Sequence, residues 1–173
     1  MVRGFTAACS ATAGLDDSAA GAIKAAGYAF ADAAGGASGA LWGAFLQRVG
    51  GELAEGEITG TKLLGALRSG EARLEALGKS QLGDKTLLDT LVPFLDALER
   101  NLADGQLLAA AWSNALEVAR VATAATSNMI PKRGRSAALG ERSLGTVDPG
   151  ARSLLLVMEA VLPVIAESES EHA

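Results

Sequence analysis

The stretch TLLDTLVPFLDALERNL, Thr86 to Leu102, decides the fold class. Leu87, Leu88, Leu91, Val92, Leu95, Leu98 and Leu102 recur at three- and four-residue intervals, which on a 3.6-residue period is one apolar face of a helix. Thr86-x-x-Asp89 has the spacing of a capping box, in which the two side chains satisfy each other's backbone N–H groups and start the helix. Pro93 lies inside the run and predicts a kink.

The same period extends outward in both directions. Asp16, Asp17 and Ser18 stand where a cap belongs, ahead of a helix to about Ala34, and Gly35-Gly36 interrupts it. Ser38 to about Val49 carries Leu41, Ala44, Phe45 and Val49 on one face, with Gly50-Gly51 as its stop. Thr61 to about Leu77 presents Leu63, Leu64, Leu67, Leu74 and Leu77, and Gly78 follows as a stop signal. After Asp104-Gly105 the pattern resumes to about Met129 through Leu108, Trp112, Ala115, Val118, Ala119 and Ala122. Asp148 can cap a last helix with Pro149 in its first turn, facing inward through Leu154, Leu155, Met158, Val161, Leu162 and Ile165. The acidic tail, residues 167–173, is expected to fray.

Composition supports an all-α chain. Thirty-six Ala and 25 Leu stand against 9 Val and 4 Ile, so helix formers far outnumber β-branched strand formers. With 173 residues, 49% of them hydrophobic, a single compact domain over 1–173 is expected rather than disorder. The net charge of −5 has the wrong sign for a phosphate backbone, so no nucleic acid is expected as a partner. Cys9 is the single cysteine and His172 the single histidine, second from the C-terminus; Ser-His-Asp, Cys-His and zinc-site chemistry within the chain are therefore not expected. Ala25 to Leu46 carries one charge, Asp32, but is mostly Ala and Gly and is broken by Gly35-Gly36. It reads as a buried pair of small-residue helices, with no membrane span and a cytoplasmic location. No signal peptide is read at the N-terminus.

Pro131 to Val147, PKRGRSAALGERSLGTV, has no apolar period. Its Lys132, Arg133, Arg135 and Arg142 in an acidic chain point to an anionic ligand, and its length suits a basic lid loop that orders when the ligand arrives. Gly35-Gly36-Ala37-Ser38-Gly39 opens a helix whose free N–H groups could hold a phosphate. Gly35, Gly39 and Gly43 would equally serve close helix packing, which the motif taken alone favours. Asp84 and Thr86 suit turn and capping roles. A P-loop is not expected: Gly78-Lys79-Ser80 has Arg73 where the first glycine belongs.

Three motifs carry a more specific likeness. GGASGALWGAF (35–45), LGDKTLLDTLVPFLDAL (82–98) and RGRSAALGERSLGTVDPGARS (133–153), in this order and spacing, closely resemble the nucleotide-binding L subunit of dihydroxyacetone kinase and the matching C-terminal domain of single-chain dihydroxyacetone kinases. The resemblance implies an antiparallel helical barrel, of whose eight helices about six to seven would be present, binding ADP or ATP with magnesium at one rim. It implies that Ala37 and Ser38 lie at the phosphates, that Gly78 and Leu87 frame the adenine, that Arg135 reaches in from the basic loop, and that Asp148, Pro149 and Gly150 line the nucleotide.

The family carries a further helix and a Gly-Asp-x-Asp-His-Gly magnesium loop ahead of a Met-x-Arg-Gly-Phe stretch, which Met1-Val2-Arg3-Gly4-Phe5 resembles. On that comparison the magnesium ligands are expected to be missing, Asp16 and Asp17 are expected to cap rather than replace them, and an apolar groove is expected to favour a homodimer. Two functions are in play. One is a kinase subunit that passes a phosphoryl group to dihydroxyacetone on a partner K subunit, supplied by free ATP or by a phosphotransferase-system phosphohistidine protein. The other is a non-catalytic nucleotide- or partner-binding regulatory module of the same fold.

Overall fold

A computed structural model describes residues 1–15 and 18–171, with Arg135 followed through its backbone only. Asp16, Asp17 and His172, which figure in the sequence reading, lie outside the described residues. The described chain is all-α and contains no strand. It comprises α1 (Val2–Thr12), α2 (Ala19–Ala34), α3 (Gly36–Glu52), α4 (Gly60–Gly78), α5 (Leu88–Ala103), α6 (Leu108–Ala125) and α7 (Pro149–Glu171), with 3-10 segments at Thr126–Asn128 and Arg135–Ser143. The chain divides into two compact units, Met1–Lys79 and Ser80–Ala173.

In the first unit each helix packs on the next. Ser18 Oγ accepts the Gly21 N–H at 3.2 Å and so starts α2. The antiparallel contact of α2 with α3 is made by small residues. An added Cβ at Gly43 would lie 2.6 Å from Ala31 Cβ and 2.9 Å from Gly27 O, and one at Gly50 would lie 2.8 Å from Ala20 O. Gly50-Gly51 therefore does not stop the helix, which runs to Glu52; Gly50 is where α2 crosses it. Around this seam Phe5, Phe30 and Trp42 meet with ring centroids 4.9 to 5.8 Å apart, and Trp42 meets Phe45 edge-on at 6.2 Å. α1, which the apolar period did not reveal, docks through Gly4, where a Cβ would strike the Phe30 ring and Ala34. Helix α4 ends one residue later than expected, with Lys79 rather than Gly78 in the left-handed conformation (φ 47°). Leu77, expected inside, is exposed.

In the second unit α5, α6 and α7 pack on one another. Leu88, Leu91, Phe94, Leu95 and Leu98 are fully buried, and the Phe94 and Trp112 rings meet at 4.8 Å. Trp112 Nε1 donates to Met158 O at 2.9 Å, satisfying the one polar atom of a buried indole. Val118, expected inside, lies on the open side of α6. Helix α7 continues to Glu171, so most of the tail expected to fray is helical. Among the described residues it is the helix long and apolar enough to cross a membrane, while Ala151, Leu154, Leu155 and Met158 on it are buried.

Candidate functional site

In the first unit the candidate residues begin at the turn between α2 and α3. Gly35 (φ 61°) and Gly36 (φ 57°) both occupy the left-handed region, and an added Cβ at either would meet nothing within 4 Å. Glycine is needed here for backbone conformation rather than for space. The turn lets α3 start within one residue of the end of α2, with no side chain capping it. Gly39 N returns to Gly35 O at 3.0 Å, but among the described residues the N–H groups of Gly36, Ala37 and Ser38 have no acceptor. Three N–H groups at the positive end of a 17-residue helix form an anion-binding geometry. The glycine motif thus divides: Gly39 and Gly43 pack against α2, as the packing reading holds, whereas Gly35 and Gly36 shape an open helix start. Gly78, half-buried, ends α4 in the same unit.

In the second unit Leu87, Asp148, Pro149 and Gly150 come together where α5 and α7 begin. A Cβ on Gly150 would lie 3.6 Å from the Leu87 backbone N and Cβ and 2.9 Å from Asp148 Oδ2. A side chain at 150 would press on the Asp148 carboxylate, while its contact with Leu87 would be an ordinary one. The start of α7 is already occupied by a carboxylate, and at α5 a carboxylate reaches back to the turn ahead of the helix. Asp148 Oδ2 accepts the Ala151 N–H at 2.8 Å, confirming Asp148 as the cap of α7. Asp89 accepts from Gly83 N at 2.5 Å and from Thr86 N at 2.7 Å. The expected capping box is half realised: Asp89 reaches back to Thr86, but Thr86 Oγ1 takes the Leu88 N–H, and the helix begins at Leu88 rather than Thr86. Burial pushes the Asp148 carboxyl above its ordinary value; the Ala151 and Gly150 N–H groups oppose this, the Asp89 charge adds to it and the Lys85 charge subtracts.

Sequence reasoning passed over Lys85 and underrated Asp84. Both side chains are buried, and both hold the basic segment. Asp84 O accepts the Lys132 N–H at 3.1 Å, and its carboxylate receives Arg133 Nε at 3.4 Å and faces Lys132 Nζ at 3.6 Å. Two of the four cations expected to meet an anionic ligand thus share one carboxylate of the chain itself, which offsets one of their two charges. Arg142 donates weakly to Leu139 O and Ala138 O at 3.5 and 3.4 Å. Arg135 is the first residue of the 3-10 segment Arg135–Ser143, which bends at Gly140, so the basic segment contains helical turns where only loop was read. No local signal exposes Asp84-Lys85, because the approach to α5, KSQLGDKT, is polar throughout except for Leu82 and Gly83.

Burial raises the Asp84 carboxyl, but the Gln81 N–H, the Arg133 hydrogen bond and the Lys132 and Arg133 charges outweigh it and leave it below its ordinary 3.8. A carboxyl with a lowered folded-state value stabilises the fold fully above its unfolded value, and that contribution is lost as pH falls through the folded value. Asp84→Asn should therefore flatten the fall in stability below about pH 5, measured by urea unfolding from pH 7 to pH 3. Parallel acid limbs for the two proteins would contradict this.

Among the described residues no group of three His, Cys, Asp or Glu side chains could hold a metal ion.

Comparison with known proteins shows the family. Residues 1–163 match the family model described as the DAK2 domain. The D-erythrulose kinase of Mycolicibacterium smegmatis is 40% identical over 172 residues, covering 97% of this chain and 30% of that protein. The ADP-binding subunit DhaL of the PEP-dependent dihydroxyacetone kinase of Escherichia coli is 33% identical over 161 residues, 92% of this chain and 77% of that one. The crystal structure of the dihydroxyacetone kinase from C. freundii in complex with AMP-PNP and Mg2+ aligns with a TM-score of 0.60 at 25% identity, over 84% of this chain and 23% of that one. The all-α fold is that of the DhaL-like nucleotide-binding domain, as the sequence motifs implied. The chain belongs to the DAK2 domain family. It spans 24–30% of the length of the erythrulose kinases it matches.

Proposed function

We propose that the chain is a single nucleotide-binding helical domain that holds ADP or ATP for a dihydroxyacetone-type kinase. It passes a phosphoryl group to a short ketose, dihydroxyacetone or erythrulose, carried by a K-type partner subunit or domain. The observation that carries this reading is the open start of α3, where the N–H groups of Gly36, Ala37 and Ser38 have no acceptor among the described residues. Three such groups on a fixed helix end can receive phosphate oxygens without reorganisation, and in phosphoryl transfer positioning and charge neutralisation supply most of the catalysis. Arg135 supplies the mobile charge to the phosphates. Gly78 and Leu87 frame the adenine, and Asp148, Pro149 and Gly150 line the nucleotide. Because the α7 start is already capped by Asp148, those three suit its sugar or base better than a phosphate.

The donor is free ATP or, in the phosphotransferase-system form, a phosphohistidine protein that recharges bound ADP; related subunits from Listeria innocua and Lactococcus lactis are named as PEP- and PTS-dependent. A cytoplasmic location, free of membrane, goes with either donor. Titration calorimetry with ADP, and a coupled assay with a K-type partner and ATP, test the two halves of the reading separately. Magnesium-dependent turnover supports the kinase. ADP binding without turnover supports the second reading, a non-catalytic nucleotide- or partner-binding module.

The basic segment gives an independent readout. Amides between Pro131 and Val147 should exchange more slowly when ADP saturates the protein, because the segment closes over the phosphates. Identical exchange with and without bound ADP would remove the lid from the mechanism.

A further inference from the structure

Lys85 is a buried cation to which the proposed nucleotide site assigns no task. Its Nζ donates to Met129 O at 3.0 Å, to Ser143 O at 2.8 Å and to Ser143 Oγ at 3.2 Å. An ammonium has three protons to donate, so these contacts use its full capacity and leave none for a ligand. Two of the acceptors belong to one residue near the end of the basic segment, and the third lies just ahead of Pro131. A single side chain therefore gathers both ends of the stretch that carries Lys132, Arg133, Arg135 and Arg142.

Its neighbours reinforce the arrangement. Gly145 N donates to Ser127 O at 2.9 Å beside the same closure, Ser143 Oγ donates to Gly140 O at 2.9 Å, and Asp84 holds Lys132 and Arg133 from the adjacent position. The backbone of Lys85 lies in the left-handed region (φ 58°), which glycine would occupy with less strain. Lysine there exchanges backbone ease for a side chain that reaches the segment.

We propose that Lys85 is a positioning residue for the nucleotide: by tying Met129 and Ser143 to the start of α5 it fixes where the basic segment presents Arg135. The inference rests on the reading of Arg135 as a phosphate contact and deepens it. Lys85 itself touches no phosphate. Its removal would leave Arg135 present but presented from a segment whose two ends are no longer joined through one side chain.

A double-mutant cycle on ADP affinity by calorimetry tests this, using the full chain, Lys85→Met, Arg135→Ala and the double variant. Lys85→Met should weaken ADP by about tenfold in the parent and by less than about twofold in the Arg135→Ala background, because the effect acts through that arginine. Equal losses in both backgrounds would mean that Lys85 only supports the fold, and would overturn the inference. Arg135→Ala damaging binding while Lys85→Met leaves it intact would sink the inference alone. An unchanged affinity for Arg135→Ala would sink the Arg135 reading and the inference together.

If Lys85→Met does not fold, Ser143→Ala carries the same cycle, since it removes one of the three acceptors and leaves both carbonyls in place. A loss of about twofold to fivefold, abolished without Arg135, is expected. No loss would overturn the inference.

Discussion

Arg135→Ala should weaken ADP binding by about 1.5–3 kcal/mol, roughly tenfold to more than a hundredfold, if the guanidinium makes a charge-assisted bond to phosphate. The size of the effect depends on which cations of the basic segment have other work. Lys132 and Arg133 share the single Asp84 carboxylate at 3.6 and 3.4 Å, so part of their charge is offset within the chain. Alanine at either position should cost the nucleotide much less than alanine at 135. Calorimetric titration of the three variants with ADP gives the order directly. Comparable losses at all three would mean that the segment acts through its summed charge, and the effect would then fade steeply with added salt.

Phe30→Ala should destabilise the first unit by about 3–5 kcal/mol, the range for truncating a fully buried aromatic side chain. Phe30 has no exposed surface, and its ring meets Phe5 at 4.9 Å and Trp42 at 5.8 Å. It is also the surface on which α1 rests, since the Gly4 backbone comes so close that a Cβ there would lie 2.7 Å from the ring. The cavity would therefore undercut α1 as well as the α2–α3 seam. Urea unfolding followed by far-ultraviolet circular dichroism measures the loss. A change below about 1 kcal/mol would show that α1 and Trp42 collapse into the space, and that the seam glycines rather than the ring cluster carry the stability of this unit.

Helices with a wide apolar face were legible in the sequence, and those without one were not. α5 follows the pattern of Leu88, Leu91, Leu95 and Leu98, and each of these is buried. α1, VRGFTAACSAT, buries Gly4 and Ala8, whose value lies in how near they let another helix come. A search for large apolar residues does not register such a face. Glycine raised the same difficulty. Gly35 with Gly36 and Gly50 with Gly51 are identical pairs in the sequence, yet the first turns the chain with two positive φ angles and the second lies within α3 against Ala20.

The candidate site was legible where function depends on backbone, and obscure where it depends on distant partners. The open start of α3 follows from Gly35-Gly36 ahead of a helical run, a local property. The basic segment was visible as a charge cluster, but its internal matching by Asp84 was not, because Asp84 is separated from Arg133 by 49 positions. Lys85 was hidden for the same reason. Its three acceptors lie 44 and 58 positions away, and nothing in GDKT distinguishes a turn lysine from a buried clamp.

That the chain is helical, and roughly where six of its helices lie, can be read from the sequence because helix periodicity, capping and turn chemistry act over a few neighbouring residues; its family is read from the likeness of three motifs. Tertiary structure alone decided which glycines pack and which turn, which cations are matched, and which helix starts remain open. Those outcomes depend on what another part of the chain brings within about 3 Å of a given atom, and spacing along the sequence does not encode that distance.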